Sequence, residues 1–336
     1  MKKSQNPLLR RRARCPRNKG FLELVVNLSF IFAVFVGLSL TACGDKKPLP
    51  PDADFHVADH AGRLVGFSKI PDKIISLSPG ITEIIFALGL NNKLVGVTAF
   101  CDYPAETKNI DTIGGYANVD KEKVIDKIGS DRAGAVIFAS TLHATPGSVL
   151  SDLEQLGYKA VVLEANTLDQ LFDCMKLVNR IGGGGSNAEA VIQSLQARVN
   201  VVKSQVGADV PKFTVIHEVF GGHWIAGSNT MENDIIATAG GVNIGATIGN
   251  GYGQINIERI IDANPDIIVI VSQMGSMVNG LVSSEISDNP IFNVLNAVRN
   301  RRVYIIDADI VSRSGPRAVD GLEAYAKILH PDIFGM

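Results

Sequence analysis

From Phe55 onward the chain alternates short β-branched apolar runs with stretches of helical period. Residues 73–77 (KIISL), 93–98 (KLVGVT), 135–139 (AVIFA) and 160–163 (AVVL) read as strands, with helices predicted at 81–88, 120–128 and 146–156. Residues 168–206 keep helical period without a strand, broken only at Gly182-Gly183-Gly184-Gly185. A second series follows, with strands at 213–217 (FTVIH), 266–271 (DIIVIV) and 302–306 (RVYII) and helices at 232–239, 257–263 and 318–329. Such alternation predicts an α/β fold of two Rossmann-like lobes, 71–186 and 207–336, joined by a long rigid connector helix over 187–206, with a ligand cleft between the lobes. Ligands of open α/β sheets bind beyond the carboxyl ends of the strands. The loops to watch are therefore 78–80, 100–104, 140–143, 218–224, 273–276 and 307–317.

The amino-terminal stretch has another pattern. Residues 1–42 carry eight Lys and Arg against Glu23, a net of +7, followed by an apolar run from Leu24 to Leu40. This is the layout of a secretory signal peptide. The run ends in Leu40-Thr41-Ala42-Cys43, which resembles the bacterial lipobox, in which the signal is cut before the Cys and its sulfur is lipidated. Residues 43–70 then serve as tether and lead-in. The competing reading is an uncleaved span, since the run sits near the lower length limit of about 17 residues. Either reading exports the body, and the first anchors it to the outer face of the cytoplasmic membrane, or leaves it periplasmic, through Cys43.

Composition changes the picture in two ways. At 46% hydrophobic and 20% charged, the 336 residues exclude a disordered chain. The formal net charge of −2 becomes −9 once the +7 leader is removed, so the exported body is acidic and no nucleic-acid partner is expected. A monomer is expected. Of four Cys, only Cys101 and Cys174 remain in the body, either as a disulfide or as two buried thiols. The tetraglycine is not preceded by a strand or followed by GK[ST], so it reads as a turn between helices. The sequence contains neither GxSxG nor HExxH, and catalytic residues, resident cofactor and metal are all expected to be absent. The alternative from another class is a metal-dependent extracytoplasmic enzyme using His143, His217 and Glu218.

In or beside the loops stand aromatic side chains instead: Phe100, Tyr103, Tyr116, Phe138, Phe220, Trp224 and Tyr252. Rings around a cleft suit a broad, flat, partly apolar ligand. The plainer reading is that single rings cap the sheet ends as core. Trp224, flanked by Gly221-Gly222 and Gly227, is expected to be exposed.

The stretch IISLSPGITEIIFALGLNNKLVGVTAFCDYP (74–104) resembles the opening of periplasmic binding proteins of the iron-siderophore and vitamin B12 ABC importer class. The similarity extends over about residues 70–330, through Gly114-Gly115-Tyr116, the 232–241 helix, Ile257-Glu258-Arg259-Ile260, Asn264-Pro265-Asp266 and Pro316-Arg317. Within the class, Phe100-Cys101-Asp102-Tyr103-Pro104 is most similar to the cobalamin-binding branch. The resemblance implies a corrinoid as transported ligand and an ABC permease dimer as partner. It implies ligand contacts at Phe100, Asp102, Tyr116, Tyr252, Asp309 and Arg313, to which Phe220 and Trp224 are added from their loop positions. Tyr116 and Tyr252 stand where the class usually has Trp. The class docks its permease through one exposed carboxylate on each lobe, which points to Glu83 and to Glu232 or Asp234. Within the same class, a ferric siderophore would call for several cleft Arg or Lys, where the loops offer Arg313 and Arg317, and haem for an axial His143, His217 or Tyr116.

Overall fold

The computed structural model describes residues 54–207, 210–220, 222–272 and 290–335. The leader, Cys43 and the 273–276 loop lie outside them. Phe55–Ala58 (β1) and Leu64–Phe67 (β2) pair antiparallel, with Phe55 opposite Phe67. The lead-in is therefore folded from Phe55. Phe67 is fully buried and stacks on Phe55 at 5.2 Å, and Asp59 accepts from Val162 N at 3.0 Å. Two four-residue strands carry too short a period to be read from sequence.

The first sheet contains Lys73–Ser76 (β3), Leu94–Val97 (β4), Ala135–Ala139 (β5) and Ala160–Val162 (β6), in the order β4-β3-β5-β6 and parallel throughout. Ile74, Val136 and Phe138 belong to one apolar cluster and Ile75, Ile137 and Ala139 to another, so both faces of the sheet are covered, as parallel strands require. The helices Pro79–Ala87 (α1), Lys121–Ile128 (α2) and Val149–Gln155 (α3) supply that cover. Asp120 starts α2 by accepting from Glu122 N (3.1 Å) and Lys123 N (3.2 Å).

Leu168–Gly182 (α4) and Gly185–Gln205 (α5) follow, and α5 is the expected connector displaced by two residues at its start. Between them Gly183 has φ 72°, a left-handed conformation that only a residue lacking Cβ adopts freely, and this ends α4.

The second sheet is built from Thr214–Phe220 (β7), Trp224–Ala226 (β8), Val242–Asn243 (β9), Tyr252–Gln254 (β10), Ile267–Ser272 (β11) and Val303–Asp307 (β12). Its order is β10-β8-β7-β11-β12, with β9 also on β7. Strands β7, β11 and β12 are parallel, whereas β8 and β10 form an antiparallel ribbon at the edge. Met231–Thr238 (α6), Ile257–Ala263 (α7), Asn296–Arg299 (α8), Ala308–Val311 (α9) and Ala318–Leu329 (α10) complete the second lobe.

One apolar cluster joins the lobes. It runs from Ile84 and Ile85 of α1 through Phe172 and Met175 of α4 and Val199 and Val202 of α5 to Ile235 of α6 and Tyr325 of α10. Each large side chain fully buried there contributes about 1.5–3 kcal/mol. The lobes thus share a packed core rather than hanging on a loop. Among the described residues, no helix is long and apolar enough to cross a membrane.

Candidate functional site

The loop after β4 shows how the sequence sorts its side chains. Cys101 is buried, with Sγ 3.1 Å from Thr82 Oγ1 and 3.2 Å from Thr98 Oγ1. Burial pushes its thiol up from the ordinary range. Cys174 is buried and free as well, pushed up to about 12 by burial, so the two cysteines are separate thiols and not a disulfide. With Cys101 turned inward, its neighbours turn outward: Phe100 is 52% exposed and Tyr103 46%.

Asp102 reaches across to the second lobe. It forms a two-point pair with Arg313, Nη1 to Oδ1 at 2.6 Å and Nη2 to Oδ2 at 3.3 Å. Arg313 Nε lies 2.9 Å from Asp309 Oδ1, within ion-pair distance though not aligned for a hydrogen bond. Beside it Arg317 grips Glu83 of α1 through Nε (3.0 Å) and Nη2 (2.6 Å), and its guanidinium stacks 4.0 Å from the Tyr103 ring centroid. Glu83 also lies 3.6 Å from Arg313. Close backbone approach accompanies these pairs. Ser314 Oγ donates to Ala165 O at 2.6 Å, and a Cβ on Gly80 would stand 2.7 Å from Ser314 O, so only glycine fits there.

Three carboxylates thus surround two arginines. Burial raises the Glu83 carboxyl, and the Arg317 bond pulls it part of the way back. The Arg313 hydrogen bond holds Asp102 below the usual range, while burial raises Asp309. Both guanidiniums are compensated. An open groove of about 490 Å³ lies beside the Glu83–Arg317 pair, bounded by Phe86, Tyr103, Leu195, Arg198 and Asp320. There Arg198 is held by Asp320 (2.6 Å) and Glu323 (2.7 Å), so it is compensated too.

Tyr116 and Tyr252 flank this knot. The Tyr116 hydroxyl is 3.1 Å from Ser140 Oγ, and its ring meets the edge of His143. The Tyr252 hydroxyl donates to both oxygens of Glu232, at 3.1 and 3.0 Å, and burial together with that carboxylate raises its pKa. Tyr116 lies close enough to raise it further. Trp224 and Tyr252 sit diagonally on β8 and β10, where Ala226 faces Tyr252 and Gln254 faces Trp224, so they share one face of the ribbon. They are 41% and 47% exposed. The Phe220 backbone pairs with Trp224 at the end of β7; its side chain is outside the description. Sequence reasoning missed β8 and β10 because three residues, one of them glycine in β10, show no period.

The metal group of the alternative enzyme reading is not brought together. His143 is buried, its Nδ1 2.9 Å from Ser140 Oγ and its Nε2 2.7 Å from Tyr116 O. His217 is sealed in β7 against the Tyr325 hydroxyl, and burial pushes it down to about 3. Glu218 accepts from His223 N at 3.1 Å. Among the described residues, no group of three His, Cys, Asp or Glu is placed to hold a metal ion.

The expected docking acids are also corrected. Glu83 is 3% exposed and Glu232 fully buried. Asp234 turns onto α4, accepting from Leu168 N at 2.8 Å. Glu83 and Glu232 are therefore turned away from solvent, and Asp234 is half-buried against α4. Glu122 and Glu258 are exposed, each in the first turn of an outer helix, α2 or α7, behind an Asx cap. An internal repeat marks them: VDKEKVID at 119–126 against INIERIID at 255–262. Tyr116 and Tyr252 each lie six residues before the acid of their own copy, so the two tyrosines are counterparts. Self-comparison of the sequence finds this signal.

The family model described as periplasmic binding protein matches residues 74–310. An uncharacterized ABC transporter substrate-binding lipoprotein of Bacillus subtilis is 28% identical over 315 residues, 90% of this chain and 96% of the relative. A vitamin B12-binding protein of Vibrio cholerae is 27% identical over 271 residues, covering 76% of this chain and 90% of that one. The crystal structure of a possible iron-binding (periplasmic solute-binding) protein of Staphylococcus epidermidis superposes with a TM-score of 0.64 at 28% identity, covering 77% of this chain and 99% of that one. Two α/β lobes on a shared core agree with these matches. The chain belongs to the periplasmic binding protein family, as a non-enzymatic substrate-binding component of an ABC importer.

Proposed function

We propose that the protein captures a corrinoid between its lobes and delivers it to an ABC permease, held at the outer face of the membrane by lipid on Cys43. The observation that carries this reading is the compensation of Arg313 and Arg317 by Glu83, Asp102 and Asp309. A floor of three acids and two arginines favours a neutral ligand whose edge both donates and accepts hydrogen bonds, as primary amides do. Phe100, Tyr116, Trp224 and Tyr252 supply ring area for a flat macrocycle. An anionic siderophore meets a floor of the wrong sign. Of the axial candidates for haem, His143 and His217 are buried, His143 with both ring nitrogens hydrogen-bonded, and Tyr116 has its hydroxyl on Ser140, which weighs against haem.

Permease docking falls to Glu122 and Glu258, the exposed acids at matching places in the two lobes. Replacing both by Gln is expected to abolish uptake while leaving ligand binding unchanged. Titration with cyanocobalamin is expected to quench Trp224 fluorescence at micromolar ligand or below. No response there, with a shifted Soret band on adding haem, would replace the corrinoid by haem. Labelling with radioactive palmitate, lost in Cys43→Ala, tests the anchor.

A further inference from the structure

We propose that Asp102 is a latch that competes with the ligand for Arg313, and does not itself contact the ligand. The two cross-lobe ion pairs differ in what can leave. The Glu83 side chain is 2% exposed and bonded at two points to Arg317, which is 16% exposed and capped by Tyr103, so the carboxylate is held inside. The Asp102 side chain is 52% exposed and its partner Arg313 only 7%. Asp102 can therefore swing into solvent, where its carboxylate is fully hydrated, at the small cost typical of exposed pairs.

Arg313 is not orphaned by that exchange. Its Nε keeps Asp309 at 2.9 Å, and Nη1 keeps Glu83 at 3.6 Å. What is released is the Nη1 and Nη2 edge now held at 2.6 and 3.3 Å, two N–H donors lying side by side. An amide carbonyl can take over these donors without adding charge. The backbone need not move. The Ser314 bond to Ala165 and the close fit of Gly80 on Ser314 hold residues 313–315 against the first lobe with the latch in either position. Ligand entry is then a side-chain exchange between two already joined lobes.

The choice of probe rests on the corrinoid reading; the latch does not. Titration of the detergent-solubilised full chain with cyanocobalamin is expected to show Asp102→Ala binding up to about fivefold tighter than wild type, because an exposed competitor is gone. Equal or weaker binding overturns the latch and makes Asp102 neutral or a ligand contact. The second measurement needs no ligand: the rate at which phenylglyoxal modifies Arg313, followed by peptide mass spectrometry. Faster modification in Asp102→Ala supports the latch, and an unchanged rate overturns it. If wild type fails to bind cyanocobalamin, the corrinoid reading falls and the modification rate alone decides the latch.

Discussion

Glu83 of α1 and Glu232 of α6, one in each lobe, are both buried, yet the protein settles their charges by different means. Glu83 takes two-point hydrogen bonds from Arg317 of the other lobe. Glu232 takes hydroxyl bonds from Tyr252 and from Ser312 and Thr230 of its own lobe. A buried carboxylate must find donors or lose its charge. The first solution ties the lobes together. The second holds one aromatic side chain of the site in place. The same residue type thus does two jobs, decided by which donors lie around it.

The largest expected effect falls on the first solution. Glu83→Ala leaves the half-buried Arg317 without its main partner and is expected to destabilise the protein by about 2–4 kcal/mol in chemical denaturation. A loss under about 1 kcal/mol would mean the pair is no tie at all. Tyr252→Phe takes a donor from Glu232 and is expected to cost about 1–3 kcal/mol, the range for an unsatisfied buried acceptor. Glu232→Gln tests the second solution. Burial raises the folded-state pKa of Glu232, so its protonated form favours the folded state; that stability is present below the unfolded value of about 4.3 and is lost as pH rises through the folded value. The Gln variant, always neutral, is expected to exceed wild type in stability at pH 7 and to match it near pH 4, read from melting curves at the two pH values. The smallest effect is Tyr116→Phe. Its hydroxyl bonds only Ser140, which His143 also satisfies, and about 1 kcal/mol or less is expected.

Much of this architecture is legible in the sequence. The strands β5 and β11 are apolar runs, and the tetraglycine reads directly as the turn between α4 and α5. The aromatic residues Phe100, Trp224 and Tyr252 are found exposed at strand ends or edges. What the sequence hides is pairing over distance. Asp102 and Arg313 lie 211 residues apart and Glu83 and Arg317 lie 234 apart, and periodicity carries no information at that range. An acid in an otherwise apolar helix looks exposed until the opposing arginine is known, so the docking role that the resemblance implies for Glu83 meets no objection in the sequence. Glu122 and Glu258 were within reach of sequence alone, through the repeat at 119–126 and 255–262.

The central claim is that a charge-compensated floor between the lobes selects a neutral, amide-edged ligand. Calorimetric titration with cyanocobalamin, beside a corrinoid whose edge amides are hydrolysed to carboxylates, tests it most directly. The amide form is expected to bind at micromolar concentration or tighter and the carboxylate form at least about tenfold more weakly, since like charges would be brought together. Equal affinities, or preference for the carboxylate form, would contradict the account.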